Sequence, residues 1–499
     1  MGTKLALCIF TFCSFTNIIN GQIDYNRQYG RNGQQHRTNI GYSQNNSPYQ
    51  FEDYFQRKQN EFPSLSQSND QLNSRFASEG ENLRNQAQPE SQIDDQRIRF
   101  PNNQAQPLPL DNRPQYKLSD SDQIKLSQTT SMFALDLFKT SLPKNSIKNH
   151  VISPISPQLL LTNLIPAAAD DTLEELKGVT YIGDNNPGLF PLYEKVLTSR
   201  NSENKVDLAT TYFVAEDYRL NDTFVKNSER NGISIQKLDF RNANDAARIA
   251  NNWVSQKTRG TINQILDPNN HIEGTRLLLA NAIYFRGIWK NKFNATGNGE
   301  FMVTPNEPKQ VSYMTARAKM HYGEEELTRK LKALWVEVPY TGGDDVSMLI
   351  IKPSKPHQLD KLIEKFDYNH LSSIYEKMDD FVSHKVNLKL PKFTIKSSTS
   401  LVEPLQKIGL KSLFQYAKLP WLGNENTKVS NIVQQAYYSV NEEGTIASGA
   451  TTVQIITLSI HPQITNVDFE VNEPFLSIIV DRKNKIPLFV SKITTPQYS

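Results

Sequence analysis

Both cysteines of this 499-residue chain, Cys8 and Cys13, lie near its start. They fall in Met1 to Gly21, where a single lysine, Lys4, precedes an apolar run that gives way to small and polar residues. That is the pattern of a cleaved secretory leader, and the apolar run is shorter than the ~20 residues a membrane span needs. The mature chain expected from this reading is extracellular and contains no cysteine. Disulfides, thiol nucleophiles and thiolate metal sites are excluded together. A secreted chain without crosslinks must be held by burial alone, which demands a large core.

That core cannot come from Gln22 to about Leu118. About a third of those residues are Gln or Asn, mixed with Ser, Pro, Arg and Asp and lacking any amphipathic period, so they cannot bury enough apolar surface to offset chain entropy. The segment is expected to be disordered. From Ser119 onward the pattern is globular. The expected organisation is a leader at 1–21, a Gln/Asn-rich extension at 22–118 and one folded domain at 119–499. The formal net charge of +3 leaves no footprint for nucleic acid or a membrane surface.

Within the folded part, Ile124, Leu126, Met132, Phe133, Leu135 and Leu137 have helical spacing. They predict a helix over Asp120–Leu142 capped by Ser119 or Asp120. Ala246–Thr258 is a second helix candidate. Thr275–Phe285 is continuously apolar and predicts a buried strand. Val386–Phe393 alternates as a half-exposed strand should. Leu476–Val480 and Ile486–Val490 flank a polar DRKNK turn and predict a C-terminal hairpin. Helices come early and strands late without strict alternation, so the expected class is α+β.

No GxSxG elbow, HExxH helix, phosphate-binding loop or dinucleotide glycine fingerprint occurs. The mature histidines, His36, His150, His271, His321, His357, His370, His384 and His461, are scattered singly. Neither an enzyme, nor a cofactor, nor a metal site is expected. Three N-x-S/T triplets, at Asn45, Asn221 and Asn294, are candidate glycosylation acceptors in a secreted chain.

The segment Glu442–Ser459, EEGTIASGATTVQIITLS, is of another kind. After Glu442, Glu443 and Gly444 no charged residue occurs from Thr445 to Ile460, and the first half of that run is small. It is too polar for a membrane span, too small for a core helix and too rich in β-formers for a linker. It suits both an exposed loop and a strand. As a strand, its one face carries Thr445, Ala447, Gly449, Thr451, Val453 and Ile455, with Ala450 on the other. A charge on the first face would cost several kcal/mol on burial, and none is there.

Several further motifs occur in order: NHVISPIS at Asn149–Ser156, NWV at Asn252–Val254 followed by KTRGTI at Lys257–Ile262, and NAIYFRGIW at Asn281–Trp289. LPKF at Leu390–Phe393, VNEEGT at Val440–Thr445, NEPF at Asn472–Phe475 and PLF at Pro487–Phe489 follow. Together they resemble the serpin family from about Ser119 to Pro496. The resemblance implies a serpin fold with three sheets, about nine helices and an exposed reactive-centre loop. It makes Glu442–Thr451 the hinge of that loop, with Glu442, Glu443, Gly444, Thr445, Ala447, Gly449, Ala450 and Thr451 as its residues. It places Ser153, Ser156, Asn281 and Gln434 in the shutter beneath the main sheet and Trp289 in the breach above it. Counting fourteen residues from Gly444 places the reactive bond at Leu458–Ser459.

The implied partner is a secreted serine protease, captured as a covalent acyl complex by a monomeric inhibitor. A leucine before the bond suits chymotrypsin-like or elastase-like pockets rather than trypsin-like ones. The alternative is a non-inhibitory carrier or storage serpin. Departures from the family pattern are Gln434 in place of a shutter histidine, Pro166, Ala169 and Asp171 in the turn after the first motif, and Ile446 in the hinge. Gln434 is expected to hydrogen-bond Ser153, Ser156 and Asn281 without titrating. No Lys/Arg cluster marks Asn186–Val206, so a heparin site is not expected. The extension, the Leu–Ser bait and the leader resemble insect Necrotic-like serpins, which implies a haemolymph inhibitor of an immune (Toll) protease cascade.

Overall fold

A computed structural model describes residues 119–143, 146–182, 205–269, 274–342, 346–380, 383–423, 427–445 and 466–498. The leader, the extension with Asn45, and 446–465 with Ala447, Gly449, Ala450, Thr451, Leu458 and Ser459 lie outside these residues.

Ser119 opens the first helix, α1 (Asp120–Ser141), its hydroxyl accepting from the Asp122 amide at 3.2 Å. Leu126, Phe133, Leu135 and Leu137 form its buried face as the spacing predicts, joined by Phe138, whereas Ile124 is 68% exposed and leaves that face near the start of the helix. A short strand, β1 (His150–Ile152), leads into α2 (Ile155–Leu164), which is buried along its whole length, and then α3 (Asp170–Thr180). Strand β2 (Lys205–Ala215), α4 (Asp222–Arg230), β3 (Ser234–Leu238) and α5 (Ala243–Lys257) follow. Helix α5 starts three residues before the predicted Ala246, because Asn242 caps it by accepting from the Asp245 amide.

The strand-rich half begins with β4 (Leu277–Ile288), β5 (Asn294–Thr304), β6 (Glu307–Met320), β7 (Tyr322–Thr328), β8 (Leu331–Pro339) and β9 (Val346–Pro353). Helices α6 (Leu359–Lys365) and α7 (Tyr368–Asp379) separate these from β10 (His384–Pro391) and β11 (Phe393–Ser400). The chain continues through α8 (Val402–Lys407), α9 (Ser412–Gln415), β12 (Asn431–Val440), β13 (Gly444–Thr445), β14 (Asn466–Glu470), β15 (Phe475–Asp481) and β16 (Ile486–Ile493).

The described strands form three sheets, ordered β11-β12-β13-β4-β2-β3, β1-β16-β15-β9-β8-β7 and β14-β10-β6-β5. With nine helices among the described residues this is an α+β fold. Every residue of β15 and β16 is buried, so the C-terminal hairpin is core rather than surface. Its turn is only partly solvated: buried Asp481 accepts from both the amide and the side chain of buried Asn484. No helix among the described residues is long and apolar enough to cross a membrane.

One predicted strand is corrected. Val386–Phe393 is not a single element: β10 pairs with β6 and β14, whereas β11 pairs with β12 in another sheet. Pro391 has no N–H to carry the ladder on. Phe393 is drawn into an aromatic cluster with Tyr438 and Phe475. Lys392, whose amide donates to the Ser312 carbonyl, is the corner.

Candidate functional site

Strands β4 and β12 lie side by side and run parallel, Leu278–Tyr284 against Asn431–Tyr437. Their other neighbours, β2 and β11, are antiparallel to them. A strand inserted between β4 and β12, antiparallel to both, would restore the alternation at this seam. Strand β13 does so at one end. Past Tyr284 and Tyr437 the two strands diverge, and Gly444 and Thr445 enter between them, antiparallel to each.

The entry is tight. Gly444 adopts φ +152°, and a Cβ there would lie 2.0 Å from the Gly287 carbonyl oxygen. Only glycine admits this approach. Gly287 is equally constrained, since a Cβ would meet the Tyr340 ring at 2.7 Å. Thr445 is fully buried, its hydroxyl 2.8 Å from that of Tyr340. The Tyr340 ring stacks on Trp289 with centroids 4.3 Å apart. Burial raises the Tyr340 pKa well above its ordinary value, so the phenol stays neutral and offers no countercharge to a charged replacement of Thr445.

The turn that feeds β13 is organised by Asn441. Its side-chain oxygen accepts from the Glu443 and Gly444 amides at 3.0 and 3.1 Å. Its backbone amide donates to the Gly444 carbonyl, and its own carbonyl accepts from the Trp289 indole at 2.8 Å. The carbonyls of Glu443 and Glu442 accept from the amides of Trp289 and Phe293. The Glu442 carboxylate pairs with Lys392 at 3.0 Å, both side chains being mostly buried.

Further along the seam, the Gln434 side chain accepts from the Ser153 amide at 2.9 Å and donates to the Ser153 carbonyl at 2.7 Å and to Asn281 Oδ1 at 2.8 Å. It therefore ties β12 to β4 and to the segment entering α2. The expectation of a bond to Ser156 is corrected: both N–H donors of the amide are taken by Ser153 and Asn281. The buried hydroxyls of Ser153 and Ser156 have no protein partner.

A family model for serpins, described as serine protease inhibitors, matches residues 128–496. This chain belongs to the serpin family. Serine protease inhibitor 2 of Anopheles gambiae is 29% identical over 387 residues, covering 74% of this chain and 90% of that protein. Among solved structures, Serpin48 of the insect Tenebrio molitor superposes with a TM-score of 0.64 at 26% identity, covering 77% of this chain and all of that one. Human thyroxine-binding globulin complexed with its hormone gives a TM-score of 0.66 at 19% identity over 75% of this chain and all of that one. At that identity it shows the fold alone.

The serpin's other expected sites fall as follows. Asn221 and Asn294 are exposed. Asn221 also caps α4, its Oδ1 accepting from the Thr223 and Phe224 amides, so the cap does not use its side-chain nitrogen. Most of Asn186–Val206 lies outside the described residues. The turn after α2 is a 3₁₀ turn, Ile165–Ala167, which accommodates Pro166, and the Ala169 amide donates to the Lys418 carbonyl. No cluster of three or more His, Cys, Asp or Glu suited to a metal occurs among the described residues.

Sequence reasoning missed Tyr340, Asn441 as the organiser of the turn, and the Lys392 contact. Asn before E-E-G carried a turn signal. Tyr340 lies far from Thr445 in sequence and carried none.

Proposed function

We propose that this serpin inhibits serine proteases with apolar primary pockets by acting as a suicide substrate, with Leu458–Ser459 as the bait bond. The observation that supports this most is the seating of Gly444 and Thr445 between β4 and β12. The chain segment leading to the bait has already begun the strand that insertion would complete. Thr445–Ile455 supplies eleven residues, against twelve in β4 and ten in β12, so it matches the length of the seam.

The protease serine oxygen attacks the Leu458 carbonyl. The Leu458–Ser459 peptide bond breaks, Ser459 leaves as a protonated amine, and Leu458 remains as an acyl ester on the protease. The freed segment then zips between β4 and β12 and carries the tethered protease along the sheet by roughly 40 Å at ~3.3 Å per residue. Hydrolysis of the ester completes ordinary cleavage; insertion before hydrolysis traps the complex. A leucine rather than Arg or Lys at the bond favours chymotrypsin-like and elastase-like proteases.

The leader supports secretion, which would expose Asn221 and Asn294, both on the surface, to glycosylation. The Gln/Asn-rich extension and the Leu–Ser bait support a role in an insect haemolymph immune cascade. Mixing the serpin with chymotrypsin or pancreatic elastase tests the central reading. An SDS-stable complex, with release of a C-terminal peptide beginning at Ser459, is expected. Cleavage that leaves the protease fully active would favour a carrier role.

A further inference from the structure

The hinge turn is tied to the end of the chain. The side-chain amide of Asn441 donates to the hydroxyl of Tyr498 at 2.9 Å, and the Lys392 ammonium lies 5.3 Å from the centre of the Tyr498 ring. The tail is held against the sheet by the Thr394 amide, which donates to the Gln497 carbonyl at 2.6 Å. Tyr498 thus touches both groups that shape the turn: the asparagine that binds the Glu443 and Gly444 amides, and the lysine that pairs with Glu442. It is 47% exposed, so burial does not explain its place. A large aromatic side chain is held half in solvent by one hydrogen bond and one cation–π contact.

We propose that Tyr498 is a positioning residue: it orients Asn441 and Lys392 so that Gly444 and Thr445 stay seated between β4 and β12 before the bait is cut. The consequence rests on the inhibitory reading above. A seated Thr445 means that the first rung of the new strand exists when the acyl ester forms, so zipping competes better with hydrolysis. Tyr498 acts on the hinge turn through Asn441 and Lys392, so it sets the branching between trapping and turnover, not the speed of the first attack.

Two variants separate the contacts. Tyr498→Phe keeps the ring over Lys392 and loses the bond to Asn441; Tyr498→Ala loses both. The deciding measurement is amide hydrogen exchange at Glu443 and Gly444 in the intact serpin, which requires no protease. Exchange is expected to quicken by about two- to tenfold in Tyr498→Phe, the worth of one net hydrogen bond, and further in Tyr498→Ala. Unchanged exchange at both amides in both variants would overturn the proposal. The second measurement is the number of serpin molecules consumed per protease trapped. It is expected to rise severalfold in Tyr498→Ala while the rate of bait cleavage stays constant. A rise in exchange with no change in this ratio would overturn the branching role. If the wild type traps no protease at all, the inhibitory reading fails, and the exchange data still decide whether Tyr498 holds the hinge.

Discussion

The two ends of the β4–β12 seam are held in different ways. At the hinge end the strands are apart, and Gly444 and Thr445 lie between them, bonded on both sides. At the shutter the strands touch: seven consecutive residues of β12 pair directly with β4, and Gln434 bridges them to Asn281 and Ser153. The hinge end is shaped around an occupant, down to the missing Cβ of Gly444 and of Gly287. The shutter end is closed by parallel pairing, slightly less stable per residue than the antiparallel pairing a new strand would bring on both sides. The same seam therefore holds a started strand and a barrier to its completion. That combination is what a one-way spring needs.

The largest expected effect comes from breaking the occupied end chemically. Thr445→Arg would place a charge beside neutral Tyr340 at a cost of several kcal/mol. It should turn the inhibitor into a substrate, raising serpin consumed per protease trapped by about tenfold or more; unchanged stoichiometry would remove insertion from the account. Next, Gly444→Ala collides with the Gly287 carbonyl in a backbone conformation hostile to side chains. It should cost about 3 kcal/mol, read as a lowered urea midpoint together with loss of protection at the Thr445 amide.

A pH series sharpens the contrast by showing where titration does not act. Gln434 and Asn281 at the shutter carry no titratable group, and burial holds Tyr340 at the hinge neutral. His150 on β1 is different. Its pKa is lowered to about 4 by burial and then by the Lys492 charge. Between its unfolded value and 4 the unfolded chain binds a proton that the folded chain does not, so stability is complete above about pH 6.5 and falls as pH drops towards 4. The loss amounts to at most about 3 kcal/mol. Unfolding curves at pH 7 and pH 5 should show it, and His150→Gln should remove this contribution to the slope. The smallest expected effect is at the closed end. Gln434→Ala strips partners from the Ser153 backbone and from Asn281, costing about 2 kcal/mol, and should speed spontaneous loss of inhibitory capacity on storage. Slower loss would mean that the bridge does not restrain the seam.

Much of this was legible in the sequence where the signal is local. The α1 spacing with its Ser119 cap, the apolar run of β4 and the C-terminal hairpin all stand close to where periodicity places them. The uncharged run after Gly444 announced a segment compatible with burial. What the sequence hid is non-local. The break at Lys392 depends on which sheets receive Pro391 and Phe393, and alternation alone reads straight through it. The distribution of the Gln434 bonds depends on the Ser153 backbone lying within reach of one amide. Tyr340 and Tyr498 meet the hinge only because distant segments converge on it, which no spacing rule reveals.

The most direct test of the spring is to cut the bait and measure stability. Cleavage within 446–460 by a non-target protease frees the segment without capturing anything. If the seam opens to receive it, the cleaved serpin gains a strand paired on both sides, and its unfolding temperature rises by more than about 10 °C over that of the intact protein, since each 1 kcal/mol moves a large domain by only a few degrees. An unfolding temperature equal to or below that of the intact protein would contradict the account.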